Sequence, residues 1–265
     1  MYAVNYHRAS SLKEAVALLK KADDGKLLAG GQTLLPTMKQ RLAAPSDLVD
    51  IGKVKELKGI KVTGKTVTIG AATTHAEVAT SAKLKKACPA ICHLAAHIGD
   101  PAVRAMGTIG GSIANNDPAA DYPAALLALN ARIHTNKRKI DADKFFTGLF
   151  ETALKDGEII TAVEFIAPAK AAYQKFPNPA SRYAMAGVFV AKTANGARVA
   201  VTGAGSDGVF RHEGMEAALD RKWSADAVAG EKVDAKNLMS DIHGDAAYRA
   251  NLVKVMAKRA VAAAG

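Results

Sequence analysis

Between Ser11 and Lys21 the apolar residues fall at helical spacing. Leu12, Ala15, Val16, Leu18 and Leu19 share one face, and Ser11 with Glu14 has the spacing of a capping box, which predicts a helix over 11–21. Asp23-Asp24-Gly25 breaks it, and Lys26–Ala29 reads as a short buried strand that runs into the pair Gly30-Gly31. Pro36 starts a short helix to Arg41, and Leu48–Ile51 is a second apolar strand. Ile60–Thr63 and Thr66–Ile69, joined at Gly64-Lys65, alternate as a β-hairpin. Thr74 and Glu77 repeat the capping-box spacing, and a further helix covers about Ala90–Ile98 before Gly99-Asp100-Pro101 stops it.

A glycine-rich stretch over 107–121 follows, and then Asp121 stands as N-cap of a helix Tyr122–Leu129. Ala131–Thr135 and Glu158–Phe165 read as strands. Residues 168–182, with several prolines and few apolar positions, mark a candidate boundary. Beyond it Gly187–Lys192 and Ala197–Thr202 alternate around Asn195-Gly196, a strong hairpin signal. Helices at about Glu213–Leu219 and Ala246–Ala264 close the chain. The elements predict an α+β protein with a smaller strand-then-helix domain at its end.

Composition narrows the class. The 265 residues suffice for two modest domains, and 49% hydrophobic with 23% charged residues is ordinary for a globular chain. No apolar run is long enough for a membrane span, no signal peptide opens the chain, and two cysteines make no disulfide framework, so a cytoplasmic protein is expected. The net charge of +11 raises nucleic acid as a partner. The basic residues are scattered, however, and aromatics are only 5%, without the interleaving that base stacking requires.

The two glycine stretches carry the chemistry. Ala29-Gly30-Gly31-Gln32-Thr33-Leu34-Leu35-Pro36 and Thr108-Ile109-Gly110-Gly111-Ser112 each offer backbone N–H groups and little side chain, which suits a phosphate or pyrophosphate. Thr33, Thr108 and Ser112 add hydroxyl donors. Asp121 would repel phosphate but suits a ribose hydroxyl or an adenine amine, so a dinucleotide is the expected ligand. Taken singly, each glycine pair is equally a tight turn. Gly203-Ala204-Gly205-Ser206-Asp207-Gly208 matches a dinucleotide fingerprint, but no βαβ unit follows it, and it reads as a hairpin exit turn.

These two loops, together with Asp117-Pro118-Ala119-Ala120-Asp121, resemble the FAD loops of the flavoprotein medium subunit of the molybdenum hydroxylases, the family of aerobic carbon monoxide dehydrogenase and xanthine dehydrogenase. The likeness covers nearly the whole chain. It implies an FAD-binding domain of the PCMH type (vanillyl-alcohol-oxidase-like) over 1–174, with α+β subdomains about 1–52 and 53–174, and a C-terminal domain of antiparallel sheet and helices over 175–265. By that resemblance Leu28, Ala29, Gly30, Gly31, Gln32, Thr33, Leu34 and Leu35, with Thr108, Ile109, Gly110, Gly111 and Ser112, would grip the pyrophosphate and ribityl chain. Asp121 would meet the adenosine part, Ile98 would lie near the cofactor, and Ile160 (or Ile159) and Lys175 near the flavin ring. Tyr183 would shield one flavin face, or else be a half-buried strand aromatic. Gln32 and Ser112 replace the His and Asn of other members.

The absences define a division of labour. A 2Fe–2S cluster takes four cysteines, and this chain has only Cys88 and Cys92. Those two, with His93 and His97, do not lie on one helical face as a zinc set would. The resemblance therefore implies non-covalent FAD here, with molybdopterin in a large partner subunit and 2Fe–2S clusters in a small one, in a heterotrimer or a dimer of heterotrimers. Electrons would leave for an external acceptor, in the cytoplasm or at the inner face of the membrane. No catalytic residue and no metal ligand is expected in this chain. The alternatives are a stand-alone flavin oxidase of the same FAD fold, or a nucleotide- or RNA-binding module without redox work.

Overall fold

The computed structural model describes residues 1–265. Three main sheets follow one another along the chain, with a separate two-stranded sheet besides. The first is parallel, in the order β1-β3-β2, from β1 (Asn5–Arg8), β2 (Gly25–Leu28) and β3 (Asp47–Asp50). Helix α1 (Leu12–Lys21) crosses between its first two strands, and α2 (Leu34–Lys39) follows the first glycine pair. The Ser11 side chain caps α1 by accepting from Glu14 N, but the Glu14 carboxylate turns to Ser10, so only half of the expected box forms.

The second sheet has the order β4-β5-β10-β6-β7 and holds the hairpin β4 (Ile60–Thr63) and β5 (Thr66–Gly70). Six helices run from it: α3 (His75–Thr80), α4 (Ala82–Ala87), α5 (Pro89–Ala96), α6 (Pro101–Met106), α7 (Ile109–Asn115) and α8 (Tyr122–Ala128). The Thr74–Glu77 capping box forms in full at the start of α3. The chain returns through β6 (Arg132–Thr135), β7 (Lys139–Asp141), the small pair β8 (Phe146–Gly148) and β9 (Glu151–Thr152), and β10 (Ile160–Ile166). Helix α8 is buried along its whole length. Cys88 and Cys92 lie in the same core, where burial pushes their thiols up to about 12 and about 11.

The third sheet is antiparallel in the order β11-β12-β13-β14, from β11 (Lys170–Pro177), β12 (Ala184–Thr193), β13 (Gly196–Thr202) and β14 (Phe210–Arg211). The stretch read as a boundary linker is thus largely a strand. The expected division at 174 falls inside β11, and the change of sheet occurs between Ile166 and Lys170. Helices α9 (Glu213–Arg221), α10 (Ala225–Ala229) and α11 (Ala246–Ala264) cover one face. Tyr173, Phe189, Ala191 and Ala200 on the other face join the core of the second sheet. Because both faces are covered, β12 is buried without a break from Ala184 to Ala191. Arg198 of β13 ties the two parts by donating to Asp143 and, at 3.3 Å, to Asn130 Oδ1.

Gly203–Gly208 joins β13 to β14 as a turn, and the Gly203 N–H donates to the Pro118 carbonyl at 2.9 Å. No helix is long and apolar enough to cross a membrane.

Candidate functional site

A cleft of about 810 Å³ opens where the first sheet, the α6–α7 segment and the third sheet meet. That volume falls within the ~300–1,000 Å³ usual for cofactor sites. Leu28–Leu34 line it on one side, and Thr108, Gly110, Gly111 and Ser112 on another. Ile98, Asp121, Ile160, Lys175 and Tyr183 complete the set of expected residues that the fold brings together. Two do not line it. Leu35 sits behind the first loop, its Cδ1 2.9 Å from where a Cβ on Gly31 would stand, and Ile109 is fully buried in the core.

The first loop is a nest of free donors. None of the backbone N–H groups of Ala29, Gly30, Gly31, Gln32 and Thr33 donates to an acceptor within the protein. Ala29, Gly30 and Gly31 are half-buried and Gln32 and Thr33 exposed, and a run of unpaired N–H groups at a cleft edge is the arrangement that receives a phosphate. Gly31 makes the turn at φ 72°, a conformation that side chains disfavour. The Thr33 and Ser112 hydroxyls also lack protein partners.

The second loop works differently. Ile109–Asn115 is itself a helix, and its first donors are consumed within the protein: Ile109 N donates to Thr73 O, Gly110 N to Ala71 O, Ser112 N to Thr108 O, and Gly111 N to Thr108 Oγ1 at 3.1 Å. Its glycines serve close approach. A Cβ on Gly110 would stand 2.6 Å from Ala71 Cβ, whereas one on Gly111 would meet only Thr108 Oγ1 at 3.0 Å and Ala29 Cβ at 3.8 Å. Gly110 therefore seats α7 on the second sheet, and Gly111 keeps the cleft floor smooth.

Asp121 is at the N-terminus of α8 but makes no side-chain cap. Its carboxylate instead accepts from the Tyr173 hydroxyl and from Lys175 Nζ, which lies 3.0 Å from both oxygens and also 3.2 Å from His97 O. Both side chains of the pair are only 5% exposed, so this is a buried ion pair in the cleft wall. Burial pushes the Asp121 carboxyl above its usual range, while the Lys175 ammonium and the Tyr173 hydroxyl pull against it. The expectation of a free carboxylate for a ribose or adenine gives way to one already engaged by two β11 side chains.

Glu158 is the second engaged carboxylate. Arg138 Nε donates to it at 2.8 Å, Thr135 Oγ1 at 2.8 Å and Lys155 N at 2.9 Å, and these bonds hold its carboxyl down at about 2. Next to it Asn136 clamps the lining segment, accepting from Ile159 N at 2.9 Å and donating to Gly157 O at 3.3 Å. Tyr183 stands in the loop before β12, not in the strand, and is half exposed at the cleft rim. Burial, and then the negative charges of Asp117 and Asp121, raise its phenol, so it is a neutral hydroxyl.

Several lining residues escaped the sequence reading: Lys26, His75, Asn115, Glu158 and Arg182; Asp117 entered it only as part of a motif, with no role assigned. Glu158 stood beside residues already singled out; nothing in the pattern around the others separates them from an ordinary helix, strand or loop position.

Comparison with known proteins extends the picture. The family model described as the FAD binding domain in molybdopterin dehydrogenase matches residues 2–167. The carbon monoxide dehydrogenase medium chain of Hydrogenophaga pseudoflava is 36% identical, over 98% of this chain and 96% of that one. The nicotine 6-hydroxylase medium subunit of Paenarthrobacter nicotinovorans is 34% identical, over 99% and 98%. The solved structure of the Hydrogenophaga pseudoflava carbon monoxide dehydrogenase lacking the Mo-pyranopterin moiety superposes with a TM-score of 0.88, covering 99% of this chain and 97% of that one.

Proposed function

This chain belongs to the family of FAD binding domains in molybdopterin dehydrogenases, and from that premise we propose that it is the electron-transfer subunit of a multisubunit molybdenum hydroxylase. In this reading it takes electrons from 2Fe–2S clusters in a small partner subunit and passes them to an external acceptor, while a large molybdopterin subunit oxidises the substrate. The reading rests above all on the five unpaired N–H groups of Ala29–Thr33, which face a cleft of dinucleotide size.

FAD supplies the capacity to accept electrons and pass them on. The chain's own residues do the rest. The Ala29–Thr33 N–H groups bind the pyrophosphate, with the Thr33 and Ser112 hydroxyls beside them. Gly111 leaves the floor open for the ligand. Ile98 and Ile160 would supply apolar lining that keeps water from the ring, and Tyr183 at the rim would shield it. Lys175 and Asp121, 3.0 Å apart, set a buried ion pair in the cleft wall.

Every cleft carboxylate is already engaged: Asp121 by Lys175, Glu158 by Arg138, Asp100 by Val103 N and Asp117 by Ala119 N. That leaves no spare acid–base pair for substrate chemistry over the flavin, which favours a relay over a stand-alone oxidase. A cytoplasmic location accompanies this proposal. Purification of the complex tests it. The expected result is a yellow chain carrying FAD released by denaturation, copurifying with a molybdopterin and an iron–sulfur subunit. A colourless chain that gains no flavin from added FAD would refute it.

A further inference from the structure

His75 opens α3 and belongs to neither glycine loop, although its N–H donates to the Gly107 carbonyl at 2.9 Å. Its side chain is about 95% buried by its 5% exposure, and it lines the cleft. Neither ring nitrogen has a hydrogen-bond partner within the protein, and Nδ1 is a fully buried orphan. Nδ1 is too enclosed for a ligand to reach, so the unpartnered Nε2 is the ring atom that a ligand in the cleft can bond. Burial, assisted by the nearby Arg104, lowers this His to about 4, so the ring is neutral and offers one donor and one acceptor.

Gly107 makes room for this ring. A Cβ there would stand 2.6 Å from Nε2 and 2.8 Å from Cδ2, so any side chain at 107 would displace it. Gly107 in turn carries the first loop, because a Cβ on Gly30 would stand 2.7 Å from the Gly107 Cα. The N–H nest, Gly107 and the His75 ring are therefore contiguous.

We propose that His75 is a cofactor-binding residue that donates from Nε2 to a phosphate oxygen of FAD, beside the N–H groups of the first loop. The proposal rests on FAD being the ligand of this cleft. The neutral ring adds a directed donor without placing a second full charge beside the Asp121–Lys175 pair. Gly107 is required because any side chain there would collide with the ring edge at Nε2 and Cδ2 and displace the donor.

The test uses the full chain labelled with ¹⁵N-histidine, titrated with FAD and separately with riboflavin, which lacks the pyrophosphate. The expected result is a shift of the His75 Nε2 signal with FAD and not with riboflavin. No shift with FAD, or an equal shift with riboflavin, overturns the proposal. In parallel, H75L should weaken FAD binding about tenfold by flavin fluorescence, with H75Q, which retains a donor, within about threefold of the native chain. H75L binding FAD as tightly as the native chain overturns it as well. If the native chain itself bound no FAD, the proposed function would fail first, and the two failures are thereby separate.

Discussion

Gly30 and Gly107 are packed backbone against backbone: a Cβ on Gly30 would stand 2.7 Å from the Gly107 Cα and 2.2 Å from the Met106 carbonyl oxygen. This contact is what makes one cleft of two distant loops. The neighbouring atoms are main chain and cannot rotate aside, so Gly30→Ala must push the loops apart. We expect this smallest of substitutions to cost about 1–3 kcal/mol of stability and to abolish FAD retention. Urea unfolding and flavin occupancy after gel filtration measure the two effects. A Gly30→Ala chain with native occupancy would show that the contact does not set the cleft.

Gly111 predicts the opposite balance. Its missing side chain faces the cleft and meets only Thr108 Oγ1 and Ala29 Cβ nearby. Gly111→Val should therefore leave the fold close to native, with Tm within about 4 °C, yet empty the chain of flavin by filling the floor. Circular dichroism melting and the absorbance of bound flavin decide it. Full flavin occupancy in this variant would remove the second loop from the site.

How far the sequence discloses this arrangement differs by element. The two loops, the β4–β5 and β12–β13 hairpins and the terminal helices are all legible, because glycine pairs, capping residues and short-period alternation are local signals. Helices α6 and α7 are not, since Pro101 and three glycines read as punctuation until Asp100 and Thr108 are seen capping them. Strand β11 hides for another reason. Lys170, Gln174 and Lys175 interrupt its apolar residues, and its place is fixed by pairing along all of β12. The role of Asp121 followed that error: the partner that claims it, Tyr173, lies 52 residues away on the unrecognised strand. Local chemistry assigned Asp121 to a helix cap, and tertiary burial overrode it.

Asp121 should consequently matter more than one hydrogen bond would. Asp121→Ala leaves the Lys175 ammonium buried without its counter-charge, which costs about 3–5 kcal/mol. A surface-exposed ligand contact would instead cost about 0.5–1.5 kcal/mol, and only in FAD affinity. Chemical denaturation of the flavin-free variant separates these, since the ion pair is internal to the protein. The double variant Asp121→Asn with Lys175→Met should recover most of the loss. A single variant as stable as the native chain would mean that the pair contributes nothing.

Glu158 sets the acid limit of the same cleft. Its carboxyl is held at about 2, against an ordinary value of 4.5, first of all by hydrogen bonds from Arg138. A depressed carboxyl means that the unfolded chain binds the proton more readily than the folded one. Stability from this group is therefore complete above about pH 4.5 and is lost as the pH falls through 4.5 toward 2. The shift corresponds to about 3 kcal/mol. Glu158→Gln should be less stable than the native chain near neutrality, with the difference shrinking progressively below pH 4.5. His75, lowered to about 4 by burial, acts in a separate window: its loss of stability runs from about 6.5 down to 4, as the unfolded chain takes up a proton that the folded ring refuses. Urea midpoints of the native chain, Glu158→Gln and His75→Gln across pH 3–7 resolve the two windows. Identical pH slopes in all three would show that neither group titrates differently on folding, and would remove the Arg138–Glu158 bond as a source of acid sensitivity.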